Sequence, residues 1–401
     1  MNASREAGQP PPRNPFTPSF GTPPPLLVER ENVIAEFEEA LEIGPGAPGR
    51  AIFVTGARGV GKTVVLNELE DSAKQAGWIV ITDTAGPGLV DRLTHATLPR
   101  LLREHDPHAT QSRLTMVRIT SVAAEREVSE AHQPQSTLRS QLEQLADLLA
   151  PHRTGILLSL DEVHHAAIND MREVAAALQF GFREGRDIAF VAAGLPESIN
   201  HLVNDRYSTF LRRAERFELT AISPPAVERA LREPVEEGGR TITDEAITAA
   251  VAASDGYPYL VQSIGFYAWR AAGQAETIRA SHVEEAITTA RRRMEQQIHE
   301  PTLADLSPVE RTFVLVMAAD SGPSRIADIA ERMDVGNNYV QPYRARLINA
   351  GVIRPIQRGV VDFAIPYLRS YLRRVHLGLA EAPAGLIEQA PDEDLGELPR
   401  E

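Results

Sequence analysis

Gly56-Ala57-Arg58-Gly59-Val60-Gly61-Lys62-Thr63 is the stretch of this sequence that decides its fold. It fits the pattern GxxxxGK[ST], in which glycines let the backbone turn so that successive N–H groups point at one anion. Lys62 and Lys74 are the only lysines among 41 basic residues, so a lysine at this position is informative. Its ammonium suits the β- and γ-phosphates of a nucleotide, and the Thr63 hydroxyl suits Mg²⁺. All eight residues are therefore predicted to bind a nucleoside triphosphate.

The sequence on both sides places this loop between a strand and a helix. Residues 51–55 are apolar enough for a buried strand, and residues 63–75 have the periodicity of a helix. The positive end of a helix that follows such a loop also faces the phosphates. The alternative is a glycine-rich turn that binds no ligand.

An acidic pair, Asp161-Glu162, directly follows the apolar residues 155–160. Asp161 is predicted to hold Mg²⁺ through water, because this cation prefers oxygen ligands and keeps much of its hydration. Glu162 is predicted to polarise a water for attack on the γ-phosphate. The alternative is a solvated strand end. The neighbours His164 and His165 are not expected to bind a metal, because adjacent histidines point in different directions.

Three arginines, Arg212, Arg213 and Arg216, precede the apolar Phe217. Arg216 is the one we expect to reach the γ-phosphate of a neighbouring subunit, where it would offset charge in the transition state. The alternative is an ion-paired or solvated cluster, which is common in an arginine-rich chain.

The composition indicates the cellular compartment and the kinds of partner to expect. The chain has no cysteine, which fits a reducing interior. It contains no apolar run long enough to cross a bilayer and no signal-peptide core, so we expect a cytoplasmic protein without a membrane partner. The net charge of −14 argues against broad coating of nucleic acid, yet residues 307–376 hold ten arginines against six acids. Contact with nucleic acid is therefore expected in that segment alone.

The organisation of the chain follows from these patterns. Strands and helices alternate from residue 51 to residue 193, with further strands expected at 78–82, 114–122 and 187–193, which predicts an α/β domain with a parallel sheet. The predicted segments are a disordered proline-rich segment at 1–24, the α/β domain at 25–221, a wholly helical lid at 222–300, a further domain at 301–378 and a disordered acidic tail at 379–401.

The segment 301–378 follows a different plan of three helices, a hairpin and a helix. Ser324 is expected to cap the second helix, 324–333, and Asn337 to Asn349 form the third. Strands at 352–356 and 360–365 flank Arg358-Gly359. This order predicts a winged helix-turn-helix.

In such a module the third helix enters the major groove of DNA and the wing contacts phosphates or the minor groove. The interior of the third helix is predicted to be Val340, Leu347 and Ile348. Polar residues on the other face and on the wing are predicted to bind double-stranded DNA, namely Asn338, Tyr339, Gln341, Arg344, Arg346, Arg354 and Arg358. The alternative is a winged helix that contacts protein or merely extends the lid.

These features together resemble AAA+ ATPases of the origin-recognition and initiator type. Asp255-Gly256-Tyr257-Pro258 also resembles the GxP signature of the related STAND ATPases and archaeal-type ATPases, and residues 363–372 (FAIPYLRSYL) are similar to the end of their winged helix. The resemblance implies that ATP is the nucleotide, that Gly256 and Pro258 lie near its base and ribose, and that Leu27 and Val28 help enclose the adenine.

The sequence departs from this family at two positions. The strand ending at Ala193-Gly194 lacks the usual polar sensor residue, for which Ser198 or Asn200 would substitute, and Tyr257-Pro258-Tyr259 stands where a lid arginine is usual. Both departures favour slow hydrolysis.

Two functions fit the sequence. The first is a slowly hydrolysing ATPase whose ATP or ADP state controls homo-oligomer assembly and DNA binding through the winged helix. The alternative is a STAND-type signalling or scaffold switch, in which the winged helix binds protein and DNA has no role.

Overall fold

The structure, a computed structural model, describes residues 13–19, 24–106, 137–205 and 209–378. The predicted extended segment at 114–122, the predicted acidic tail and most of the predicted disordered N-terminal segment lie outside the described residues.

A five-stranded parallel sheet forms the centre of the N-terminal half, in the order β2-β3-β4-β1-β5. The strands are β1 (Ala51–Gly56), β2 (Ile79–Thr84), β3 (Ile156–Asp161), β4 (Ile188–Gly194) and β5 (Glu215–Leu219). The predicted parallel α/β sheet is confirmed. The pattern of residues did not reveal β5, because this edge strand alternates half-buried and exposed side chains instead of forming an apolar run.

Helices cover both faces of the sheet. They are α1 (Glu31–Ile43), α2 (Lys62–Gln75), α3 (Leu89–Arg92), α4 (Leu98–His105), α5 (Leu138–Leu149), α6 (Ile168–Arg183) and α7 (Pro196–Asn204). Side chains alternate across a strand, so Ile52 packs with Phe37 of α1 on one face, whereas Phe53 packs with Leu178 of α6 on the other. Two separate apolar cores thus hold β1 and the loop that follows it in place.

The lid contains α8 (Pro224–Glu237), α9 (Asp244–Ser254), α10 (Pro258–Ala271) and α11 (Ala280–Met294). Ser223 and Thr243 cap α8 and α9 by accepting hydrogen bonds from backbone N–H groups. The expectation of a wholly helical lid is wrong in one respect, since Thr241–Ile242 (β6) and Thr277–Ile278 (β7) form a short parallel pair. Two-residue strands are too short to leave a period-2 pattern in the sequence.

The C-terminal module comprises helices and a small antiparallel sheet of order β8-β10-β9. After the connecting helix α12 (Glu300–Asp305) come α13 (Pro308–Ala318), β8 (Ser324–Arg325), α14 (Ile326–Arg332), α15 (Asn337–Asn349), β9 (Ile353–Gln357), β10 (Val360–Phe363) and α16 (Leu368–His376). The predicted bounds of α15 are confirmed. Ser324 does not cap a helix, however; it is buried and pairs with Val361 in the sheet.

Residues 13–19 are ordered, contrary to the composition-based expectation of disorder for residues 1–24. Residues 13–19 lie on the lid, where Phe16 is 2% exposed and belongs to the same core as the lid and the C-terminal module. One buried aromatic ring supplies the apolar contact that the prolines around it do not.

Candidate nucleotide site

A cavity of about 780 Å³ opens at the carboxyl ends of β1 and β3. Its walls come from residues 58–63 in the loop after β1 and the start of α2, from residue 24 and residues 26–28 ahead of α1, from the start of α10, and from α12. A cavity of this volume suits a nucleotide-sized ligand, and in parallel sheets ligands bind at this edge.

The loop between β1 and α2 has the backbone that its glycines permit. Gly59 and Gly61 have φ values of 75° and 96°, in the left-handed region that favours glycine. A Cβ on Gly59 would lie 1.9 Å from the hydroxyl oxygen of Tyr257. Any side chain at residue 59 would therefore collide with the lid.

Lys62 lies at the start of α2 and is 7% exposed. Its Nζ donates hydrogen bonds to the carbonyl oxygens of Gly56 (3.1 Å) and Ala57 (2.8 Å). Burial lowers the pKa of Lys62, and the nearby carboxylates of Glu162 and Asp161 act in the opposite direction. A bound phosphate would supply the strong anionic partner that these neutral carbonyls do not.

Thr63, which lines the cavity, is hydrogen-bonded to Asp161 at the end of β3. The Thr63 hydroxyl donates to Asp161 Oδ2 at 2.6 Å, and Asp161 Oδ1 accepts from the backbone N–H of Glu162 at 2.7 Å. A hydroxyl beside a carboxylate at the end of a strand is the kind of oxygen donor set that Mg²⁺ uses, so these two residues fit the predicted metal. Glu162 lines the cavity in a left-handed conformation with φ 56°.

Part of the cavity wall is apolar. It is lined by Leu26, Leu27, Val28, Ile222, Pro258 and Val261. Val28 and Pro258, which the family resemblance expects near the base, both line the cavity. Gly256 does not line the cavity but lies behind its wall, where its carbonyl accepts a hydrogen bond from Ile222 N–H at 2.8 Å.

The cavity lining includes Arg30 and Tyr257, which were not among the residues predicted to bind the nucleotide. Arg30 is 6% exposed and donates to the carbonyl of Thr220 at 2.7 Å, and burial lowers its pKa. Tyr257 is 4% exposed and donates from its hydroxyl to the carbonyl of Arg58 at 2.9 Å; burial raises its pKa, so it stays protonated. The unusual Tyr-Pro-Tyr sequence in the lid could have indicated that Tyr257 lines the site. No local sequence pattern indicated the same for Arg30.

The arginines before Phe217 lie away from this cavity. Arg216 is exposed on β5 and its Nη1 donates to Asn200 Oδ1 at 3.4 Å, whereas Arg212 donates to the carbonyl of Val203 at 2.8 Å. Neither lines the cavity of its own chain. His165 does line it, and the described residues contain no group of three or more side chains suited to hold a metal ion.

The predicted DNA-binding residues share one module, and most are exposed. The exposed ones are Asn338, Tyr339, Gln341, Arg346, Arg354 and Arg358, while Arg344 is half-buried. Val340 and Leu347 are buried as predicted, but Ile348 is only partly buried because it lies at the margin of the core. Tyr339 packs beside Tyr343 with ring centroids 5.4 Å apart.

The C-terminal module also contacts the phosphate-binding loop. Gly351, in the turn after α15, lies so close that a Cβ there would be 3.3 Å from the backbone nitrogen of Arg58. The Arg58 guanidinium lies 3.6 Å from the carboxylate of Asp305 in α12. Loop, lid and C-terminal module thus meet at Arg58.

Comparison with known proteins agrees with this geometry. Residues 26–183 match a family model described as an AAA ATPase domain, and residues 296–372 match one described as a domain of unknown function. Comparison with curated proteins gave no match.

Two solved structures have the same fold over most of their length. The Walker-type ATPase PABY2304 of Pyrococcus abyssi superposes with a TM-score of 0.58 at 16% identity, covering 86% of this chain and 96% of that one. The ORC2 protein of Aeropyrum pernix, in ADPNP–ADP complexes, gives a TM-score of 0.56 at 15% identity, covering 90% and 98%. The protein therefore has the AAA+ type of P-loop fold. In the parts of the chain that the structure describes, no helix has the length and apolar character needed to span a bilayer.

Proposed function

We propose that this protein is a slowly hydrolysing, Mg²⁺-dependent ATPase whose nucleotide state controls DNA binding by its C-terminal module, acting as a winged helix. Gly56 to Thr63 hold the phosphates, Thr63 and Asp161 hold Mg²⁺, and Glu162 activates water. Val28 and Pro258 contact the adenine. The ADPNP–ADP complexes of the Aeropyrum pernix ORC2 protein, which has a similar fold, support the choice of an adenine nucleotide.

The contact of Gly351 and Asp305 with Arg58 is the observation that carries this proposal. Arg58 lies in the loop that would surround the phosphates, and Asp305 and Gly351 lie just before and within the C-terminal module. A triphosphate competes with Asp305 for the Arg58 guanidinium, because both are anions and a phosphate accepts charge-assisted hydrogen bonds. A nucleotide bound at the loop would thereby weaken the contact between Arg58 and Asp305 and change how the C-terminal module is held.

The exposed face of the C-terminal module has the chemistry of a DNA-binding surface. Arg346 and Arg358 are exposed on α15 and on the turn between β9 and β10. Arginine contacts phosphates or the major-groove edge of guanine, and Asn338 and Gln341 on the same helix have the amides that pair with adenine.

Fluorescence anisotropy with a labelled duplex tests DNA binding, measured at several salt concentrations without nucleotide, with ADP and with a non-hydrolysable ATP analogue. We expect affinity to fall as salt rises and to differ between nucleotide states. Arg346→Ala and Arg358→Ala should each reduce the salt slope by about one. Arg270→Ala, an exposed arginine on the lid, is the control. Absence of duplex binding in every nucleotide state would remove the DNA role.

Assembly is the second part of the proposal. Arg216 is exposed and outside the cavity of its own chain, so its action on a γ-phosphate requires a neighbouring subunit. Arg216→Ala should slow turnover only at protein concentrations where a homo-oligomer forms, and the exposed neighbour Arg213→Ala serves as control. An equal loss in dilute monomer would exclude action in trans.

The STAND-type switch remains a second candidate because large apolar side chains are exposed on the C-terminal module. Tyr339 and Ile356 are 47% and 48% exposed, and side chains of this type are enriched where proteins bind one another. Light scattering with ADP and with the ATP analogue separates the two functions. A nucleotide-driven oligomer that ignores duplex DNA would favour the switch.

A further inference from the structure

Residues 14–19, which we call the N-terminal strap, lie along the lid helix α10 and end at the cavity. Asn14 Nδ2 donates to the carbonyl of Phe266 at 3.1 Å, and the backbone N–H of Phe16 donates to Asn14 Oδ1 at 3.1 Å. The last residues of the strap, Thr17, Pro18 and Ser19, line the cavity. The family match begins only at residue 26, so it assigns the strap no role.

The strap is anchored by a close fit between Phe16 and Gly265 of α10. The Phe16 side chain is 2% exposed. A Cβ on Gly265 would lie 2.6 Å from the ring of Phe16, nearer than side-chain carbons approach in proteins. Because Gly265 has no side chain, the ring of Phe16 can occupy this space. This close fit gives the strap a fixed position on the lid.

Gln262 links the strap to the cavity. The backbone N–H of Thr17 donates to Gln262 Oε1 at 3.2 Å, and Gln262 itself lines the cavity. An N–H donor requires the amide oxygen as its acceptor, so the bond to Thr17 fixes the orientation of the amide group. The remaining polar atom is Nε2, which can only donate.

Gln262 and the strap meet the same cavity as the apolar residues Val28, Pro258 and Val261. A nucleotide whose phosphates lie at Lys62 would place its base among these apolar residues. There it needs polar partners for the nitrogen atoms of its ring, since a buried acceptor without a hydrogen bond weakens binding.

We propose that the N-terminal strap and Gln262 form part of the nucleotide site and recognise the base, with Gln262 Nε2 donating to a ring nitrogen of a purine. The inference rests on the proposed function, because it assumes that a nucleotide occupies the cavity. The strap acts as a positioning element: it holds the amide of Gln262 and completes the wall beside the base.

Calorimetric titration with two ligands tests this inference. ATP has both base and phosphates, whereas inorganic tripolyphosphate probes the phosphate loop alone. Gln262→Leu, which leaves Phe16 and Asn14 in place, should weaken ATP binding about fivefold, the effect of one hydrogen bond. Phe16→Ala should weaken it about tenfold by releasing the strap. Neither change should alter tripolyphosphate affinity by more than about twofold. Arg13→Ala, an exposed residue directly before the strap, is the control.

The possible results are distinct. Wild-type protein that binds neither ligand overturns the proposed function and this inference together. Wild-type protein that binds ATP, with Gln262→Leu and Phe16→Ala binding ATP equally well, overturns this inference alone. A parallel loss of ATP and tripolyphosphate binding in both variants also overturns it, because the strap would then act on the phosphate loop. Should Phe16→Ala fail to fold, Gln262→Leu decides by itself.

Discussion

The hydroxyl of Tyr257 donates a 2.9 Å hydrogen bond to the backbone carbonyl of Arg58, so the lid is bonded directly to the phosphate-binding loop. Gly59 makes this contact possible, because a Cβ there would lie 1.9 Å from the same hydroxyl oxygen. The ATPases that this sequence resembles usually have an arginine at this place in the lid. In this protein the lid contacts the backbone of the loop through a neutral hydroxyl, and the charged residues among Gly56 to Thr63 are Arg58 and Lys62.

Tyr257→Phe removes that hydrogen bond and keeps the ring. We expect the free energy of unfolding to fall by about 1 kcal/mol and ATP affinity to fall with it, because the loop loses its tie to the lid. Thermal melting and calorimetry measure the two effects. Tyr267→Phe, on the helix that begins directly after Tyr257, is the matched control, and an equal loss of ATP affinity in both variants would contradict the prediction.

Lys62→Ala should weaken ATP binding about a hundredfold, since a charge-assisted partner of the phosphates is lost. The chain offers a natural control in Lys74→Ala, the only other lysine. Lys74 is exposed and pairs with Asp71 at 2.8 Å, so its loss should leave ATP affinity unchanged. Calorimetric titration measures the ATP affinity of both variants. Equal ATP affinities of Lys62→Ala and Lys74→Ala would mean that Lys62 does not contact the nucleotide.

Glu162→Gln should keep ATP affinity within about twofold and reduce hydrolysis about a hundredfold or more, as expected when a general base is lost but the binding contacts remain. Phosphate release under single-turnover conditions separates the chemical step from binding. Turnover equal to that of the wild type would remove Glu162 from the catalytic role.

Gly351→Ala should disturb nucleotide binding, whereas Gly359→Ala should not. Both glycines have left-handed backbones, with φ values of 65° and 77°, so both changes cost about 1 kcal/mol of stability. They differ in what a new Cβ meets: the backbone nitrogen of Arg58 at 3.3 Å for Gly351, and open space for Gly359. Equal ATP affinities in the two variants would show that the module does not act on the loop.

His299 gives the fold a specific sensitivity to acid. Its ring is fully buried, Nε2 bonds the carbonyl of Pro366 at 2.9 Å, and Nδ1 has no hydrogen-bond partner. Burial lowers the pKa of His299 from 6.5 to about 4; the hydrogen bond with the Pro366 carbonyl and the charge of Glu295 oppose this by smaller amounts, and Arg374 lowers the pKa further. The unfolded chain therefore takes up a proton at a higher pH than the folded chain does. This contribution to stability is complete above pH 6.5 and is lost as the pH falls towards 4.

Denaturant unfolding between pH 7 and pH 5 measures that loss. Wild-type protein should lose about 2 kcal/mol more over this interval than His299→Gln, whose side chain does not titrate. His152→Gln, a change at an exposed histidine, should follow the wild type. A wild-type curve parallel to that of His299→Gln would show that the ring takes up its proton at the same pH in the folded and the unfolded chain.

Much of the site was predictable because its residues are adjacent in sequence. Residues 56–63 form one loop, and Asp161 and Glu162 end one strand, so local pattern alone marks them. Arg30, Gln262 and residues 13–19 were missed because each is defined by a contact with a distant residue: Arg30 with Thr220, Gln262 with Thr17, and Phe16 with Gly265. The proline content of the N-terminal segment predicts disorder, and only the structure shows that Gly265 leaves space for the ring of Phe16.

The sequence by itself determined the parallel sheet, the glycine-rich loop between β1 and α2, and the acidic pair at the end of β3, because strand apolarity and glycine spacing are local properties with one common structural solution. The tertiary structure alone decided what surrounds the nucleotide cavity. It brings Tyr257 of the lid, Gly351 of the C-terminal module and Asp305 of the helix between them to the single residue Arg58. Contacts between residues 199 or more positions apart depend on how apolar cores pack together, and no short pattern in the chain encodes that packing.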